Sequence, residues 1–305
     1  MPLDPVVKTM LDQMAAAGGP TLREAGPEQG RQMLEMLALL EGEPVDVARA
    51  ESVIVNDNIP ARAYAATTGT PLPILVWYHG GGFVIGSLET ADRISRKLAV
   101  GTGALVISID YRLAPEHPHP AGPDDCFAAL RWIVDHAADL GGDASRVAIG
   151  GDSAGGNMAA VTALRARDEG LPLRHQLLVY PVTDCTMSSA SYEENADGCF
   201  LTADSMDWFI GHYLSAGTDA KDPRVSPLFA DDLRGVAPAL VITAEFDPLR
   251  DEGEAYAERL GDADVPVELK RFDGQVHGFF PLGSIWPAAN EAVDLAIAKL
   301  KAALT

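Results

Sequence analysis

The sequence predicts an α/β fold, a parallel sheet covered by helices on both faces, and three observations carry that prediction. From about residue 45 onward, short strand-like segments alternate with helix-length ones, the pattern of βαβ units. Most of those strand-like segments are apolar or β-branched runs bordered by Gly, Pro and Asp, as strands buried on both faces tend to be. The chain of 305 residues, 47% apolar and 22% charged, has the length of one large α/β domain or two small ones and the composition of an ordinary globular protein.

In chain order, the first 45 residues read as two helices joined by "GGPTLREAGPEQG", the second carrying the apolar stretch "MLEMLALL". Two β-like segments follow, around "SVIV" and "ARAYAA". The strands of the alternating part are "LPILVWYH", "ALVISID", "RVAIGG", "HQLLVYP", "ALVITAE" and "VPVELKRF". The helices between and after them are "ADRISRKLAVG", "DDCFAALRWIVDHAADL", "AGGNMAAVTALRARDEG", "RDEGEAYAERLGD" and "PAANEAVDLAIAKLKAAL". One interval breaks the rhythm. Between Pro181 and Ala237 lie a turn-rich stretch, the aromatic helix-like run "SMDWFIGHYL" and a Pro-punctuated stretch. So long a loop without structure is unusual in a compact domain, so this insertion is expected to form a small cap with the N-terminal helices. The expected division is 1–45 (N-terminal part of the cap), 46–184 (first part of the core), 185–230 (cap insertion) and 231–305 (second part of the core).

A formal charge of −21 argues against nucleic acid or an anionic membrane as partner, because both attract basic surfaces. No apolar run approaches the ~20 residues of a membrane span, and the first residues lack a secretory signal pattern. Three cysteines, Cys126, Cys185 and Cys199, have no metal-ligand spacing and point to unpaired thiols in a reducing cytoplasm. His117 and His119 sit in a proline-rich stretch without a third nearby ligand, so no metal site is expected.

"GGDSAGGN" follows the strand "RVAIG" and opens a helix; within it, Gly151 to Gly155 fit G-x-S-x-G, a sharp turn that exposes a serine hydroxyl above a sheet. A serine is a poor nucleophile until a base takes its proton, and on this turn the acid and the histidine follow later in the chain. His175 begins the next strand and His212 lies in the aromatic cap helix, whereas His277 occupies a loop between the last strand and the last helix. Among Glu245, Asp247, Asp251 and Glu252, Asp247 directly follows its strand and precedes Pro248; Asp251 and Glu252 suit the first turn of a helix for dipole reasons alone. Ser153, Asp247 and His277 are therefore the expected catalytic residues. Charge developing on an acyl oxygen needs preorganised N–H donors. Ala154 and the loop "HGGGF", through Gly81 and Gly82, are placed to supply them, with the missing Cβ atoms leaving room for substrate. His79 is expected to hold that loop. Phe83, Trp208, Phe209, Tyr213, Phe279 and Phe280 are candidates for the substrate pocket and equally for the core.

Together, "HGGGF", "DYRLAPEHPHPA", "GDSAGGN", "DPLRDEG" and "HGF" resemble the hormone-sensitive-lipase branch of the α/β-hydrolase esterases, and its bacterial members most. The resemblance runs from about residue 45 to the end, and the helical N-terminus matches that family's cap. It implies a mostly parallel eight-stranded sheet and a cofactor-free carboxylesterase for short acyl esters, with the triad and oxyanion hole named above. In "DYRLAPEHP", Arg112 and Glu116 are expected to brace the glycine loop, with Pro115 and Pro118 fixing the turn. The triad alone does not separate esters from amides, so an amidase, formamidase or peptidase stays open. Receptors of this branch keep the serine motif without the histidine, and His277 argues against that class. Relatives often pair through the last strand and its neighbouring helix, so the resemblance implies a homodimer.

Overall fold

The computed structural model describes residues 2–69, 71–214 and 216–305. Two N-terminal helices, α1 (Pro5–Ala17) and α2 (Leu22–Ala38), are followed by a 3-10 turn over Leu39–Glu41 and by strands β1 (Arg49–Val55) and β2 (Ile59–Ala65). The stretch expected to join the helices is mostly helix itself. Thr21 and Glu24 cap each other's backbone at its start, and the break is confined to Gly26 (φ 74°) just ahead of Pro27. The Gly-Pro pair marks a kink within α2.

The alternating part contains β3 (Leu72–Tyr78), α3 (Asp92–Thr102), β4 (Leu105–Ile109), α4 (Ala121–Asp135), α5 (Ala137–Leu140), β5 (Gly142–Asp152), α6 (Ala154–Asp168) and β6 (His175–Val179). After the insertion, which carries α7 (Ser191–Glu194) and α8 (Ala203–Tyr213), come β7 (Ala239–Phe246), α9 (Arg250–Asp262), β8 (Val267–Val276) and α10 (Pro287–Leu304). The eight strands form one sheet in the order β1-β2-β4-β3-β5-β6-β7-β8. β2 runs antiparallel to both β1 and β4, and every pairing from β4 to β8 is parallel.

Strand side chains alternate between two cores, as a period of two requires. Ile74, Val76 and Tyr78 of β3 enter one core together with Leu105, Ile107 and Ile109 of β4, on the side of α4 and α6. Leu75, Trp77 and Val106 enter the other, beneath α3 and α10. The chain order reverses at β3, whose neighbours are β4 on one side and β5 on the other. A crevice beyond the carboxyl ends of the strands at such a reversal is where open α/β sheets bind ligands. The glycine loop leaves β3 there and the serine turn leaves β5 there. Among the described residues, no helix is long and apolar enough to cross a membrane.

Candidate active site

Ser153 stands between β5 and α6 with φ 57° and ψ −120°, a strained conformation for a residue with a Cβ. The surroundings hold it there. Its amide donates to Val179 O (2.9 Å), and its carbonyl accepts from Asn157 and Val182. A Cβ on Gly155 would lie 2.0 Å from Tyr78 O, so only glycine lets α6 start this close to β3. The result is a hydroxyl held at the mouth of the crevice.

His277 follows β8 and Asp247 follows β7, so with Ser153 after β5 the three side chains come from the ends of β5, β7 and β8 on one rim of the sheet. His277 Nε2 lies 2.9 Å from Ser153 Oγ, and His277 Nδ1 lies 2.8 Å from Asp247 Oδ2. Asp247 is wholly buried, and its other oxygen accepts from the Leu249 amide at 2.9 Å. Asn195 of the insertion donates to the Asp247 carbonyl, and the Ser191 amide donates to Asp251 at 2.9 Å. The ring of Tyr180 packs against His277, with centroids 4.5 Å apart. Glu252 differs from the expectation of a mere dipole partner: it is buried and accepts from the amides of Thr183 (2.7 Å) and Asp184 (3.1 Å), anchoring the chain as it enters the insertion. His175 is buried at the head of β6, and His212 lies edge-on to Trp208 on α8.

Gly81 and Gly82 line the same cavity as Ser153 and His277. Among the described residues, the amides of Gly81, Gly82 and Ala154 donate no hydrogen bond to the protein. Both loop glycines have positive φ, but the space they leave is not the substrate's. A Cβ on Gly81 would meet Ile85 O at 2.1 Å, and one on Gly82 would meet the Phe209 ring at 2.3 Å. His79 stacks on Tyr111 with centroids 4.4 Å apart, and Tyr111 Oη donates to the His79 carbonyl, so this histidine packs beneath the loop.

The brace on the loop is not the one expected. Arg112 pairs with Asp125 on α4 and does not reach the glycines, because Asp125 takes both its backbone and its guanidinium donors. Glu116 instead holds Arg31 of α2 at 2.7 Å, and Arg31 donates to Val84 O (3.0 Å) and Ala114 O (3.2 Å). Helix α2 is thereby tied to the loop. Arg23 adds a link from α2 to α8 through Asp204 and Asp207.

The cavity has a volume of about 320 Å³. Of the six aromatic candidates, Phe209 and Phe280 line it. The other four belong to the core. Phe83 stacks on Tyr213 at 3.9 Å, Trp208 packs on Phe209 and His212, and Phe279 sits between Tyr180 and Phe272. Further lining, with no candidate among the sequence motifs, comes from the apolar faces of α1 and α2, through Met14, Met33, Leu34 and Leu37, and from Glu41, Trp77 and Asp152. The stretch "MLEMLALL" was the available signal for the α2 portion.

Two carboxyls in this lining are displaced upward by burial. Asp152, which accepts from the Gly80 amide, is pushed up to about 6, with His277 opposing the shift. Glu41 is pushed up to about 8, with Lys97 the largest influence in the other direction. A buried acid raised in this way binds its proton more tightly folded than unfolded. Its contribution to stability is therefore lost as pH climbs from about 4.3, the unfolded value, towards the folded one. Glu41→Gln, neutral at every pH, should gain on the parent protein across that window. We expect the melting-temperature difference to widen by about 2–5 °C between pH 5 and pH 8.5. A difference independent of pH would show that Glu41 is ionised in the fold throughout.

Residues 75–281 match the family description of the alpha/beta hydrolase fold. The chain is 45% identical to carboxylesterase NlhH of Mycobacterium tuberculosis, over 99% of this chain and 96% of that protein. It is 39% identical to an arylesterase of Saccharolobus solfataricus, over 98% of each. Among solved structures, a hyperthermophilic esterase from Pyrobaculum calidifontis superposes with a TM-score of 0.94 at 42% identity, covering 99% of both chains.

Proposed function

The chain belongs to the α/β-hydrolase family, in its hormone-sensitive-lipase-like branch, and from that premise we propose that it hydrolyses short-chain carboxylic esters through an acyl-enzyme on Ser153. The observation that carries the reading is the unbroken contact from Asp247 Oδ2 through the His277 ring to Ser153 Oγ. His277 takes the serine proton as Oγ attacks the ester carbonyl, and Asp247 fixes the imidazole tautomer and balances its charge. Charge arising on the carbonyl oxygen is received by the amides of Gly81, Gly82 and Ala154. The alcohol leaves with the proton from His277, and a water activated by the same base then releases the acid. Loss of activity on the acid side follows, because the base must be neutral to act.

The division into a core and a cap built from 1–45 and 185–230 belongs to the same reading, supported by the links that Arg23 and Arg31 make from α2 to α8 and to the loop of β3. The three unpaired cysteines support a reducing, cytoplasmic setting. A cavity of about 320 Å³ suits short acyl chains. In a series of p-nitrophenyl esters, kcat/KM should be highest from acetate to hexanoate and fall for longer chains, and a matching anilide should be turned over far more slowly. Faster turnover of the anilide would turn the reading to an amidase.

A further inference from the structure

The lining of the cavity carries polar groups that the ester-cleavage mechanism does not use. Glu41 ends the 3-10 turn after α2 and is only 5% exposed. Its Oε2 is buried without a hydrogen-bond partner, and among the described residues no ion pair to Glu41 is formed. Its nearest cationic neighbours are engaged elsewhere: Arg93 donates to Gly42 O at 2.6 Å and Lys97 reaches Pro281 O. Trp77, fully buried at the end of β3, lines the same cavity, and its indole N–H also has no partner. Buried polar groups without partners destabilise a fold, so their persistence at a binding cavity calls for a ligand group that satisfies them.

The chemistry of the two groups narrows the ligand. The Glu41 carboxyl, held protonated by burial at neutral pH, both donates and accepts, whereas the indole N–H only donates. A hydroxyl both donates and accepts, so it can answer either group. An ammonium cannot accept from the indole, and an alkyl chain answers neither.

We propose that Glu41 and Trp77 form a polar subsite that recognises a hydroxyl group carried by the ester, making hydroxy-esters the preferred substrates. This rests on the ester-hydrolase reading and adds the substrate class to it. The test compares two matched pairs by titration of released acid. Ethyl 3-hydroxybutyrate against ethyl butyrate places the hydroxyl on the acyl side, and 2-hydroxyethyl butyrate against propyl butyrate places it on the alcohol side. In one pair the hydroxy-ester should have a kcat/KM about tenfold higher. Glu41→Leu should bring that ratio to about one, and Glu41→Gln, which keeps a donor and an acceptor, should retain most of it. Ratios at or below one in both pairs for the parent protein, or a ratio unaltered by Glu41→Leu, would overturn the subsite. Should Glu41→Leu not fold, Trp77→Phe and the parent ratios decide. Hydrolysis of none of the four esters would instead overturn the ester-hydrolase reading itself, and the subsite with it.

Discussion

Ser153→Ala is expected to lower kcat/KM for p-nitrophenyl butyrate by about 10⁴- to 10⁶-fold, the loss seen when a serine nucleophile is removed from an intact triad. The substitution deletes one oxygen, the atom 2.9 Å from His277 Nε2, and nothing that shapes the turn. The turn is shaped by backbone: the Ser153 amide on Val179 O, its carbonyl under Asn157 and Val182, and the approach of Gly155 to Tyr78. The melting temperature should therefore stay within about 2 °C of the parent. Any remaining hydrolysis should come from the oxyanion donors and binding alone, with no burst of p-nitrophenol. Turnover near the parent rate would remove Ser153 from the mechanism.

The second large effect is expected from Asp247→Asn, with kcat falling by about 10⁴-fold and KM changing far less. The reason lies in the two bonds of the carboxylate. One oxygen accepts from His277 Nδ1 and the other from the Leu249 amide, and both donors are buried. An asparagine offers one oxygen and one NH₂ in their place. With its oxygen towards Leu249, it forces Nδ1 of His277 to accept, which leaves the proton on Nε2 and the serine without a base. With its oxygen towards His277, it sets the NH₂ against the Leu249 N–H, two donors face to face in a buried site. Either arrangement costs activity or stability, and a split in which kcat falls while KM holds identifies the first.

Much of this site was legible because its residues lie beside the elements that place them. Ser153 leaves the end of a strand whose apolar run is plain in the sequence, His277 stands in the glycine-flanked loop before the last helix, and Asp247 is marked by the proline after it. The parallel sheet was legible for the same reason, as alternation along β3 and β4 sends residues to both cores. Contacts between distant segments were not. Arg31 lies 53 residues from Val84 and 85 from Glu116, and no local pattern says that an arginine on a mixed helix face will hold a loop. Glu41 reads as one more acid in an acidic chain until the fold encloses it. The glycines were legible as a loop, but not what fills the space of their missing Cβ atoms: Gly82 accommodates the Phe209 ring of α8, which lies more than a hundred residues further along. Phe83 of the glycine motif and Tyr213 of α8 stack on each other.

In the proposed mechanism Ser153 Oγ forms a covalent acyl-enzyme with the base His277 beside it. Reaction with a p-nitrophenyl alkylphosphonate, followed by intact-protein mass and peptide mapping, tests it most directly. One adduct per chain is expected, located on Ser153, with loss of esterase activity in proportion to labelling and no adduct in Ser153→Ala. A stoichiometric adduct on another residue, or full activity in a protein labelled at Ser153, would contradict it.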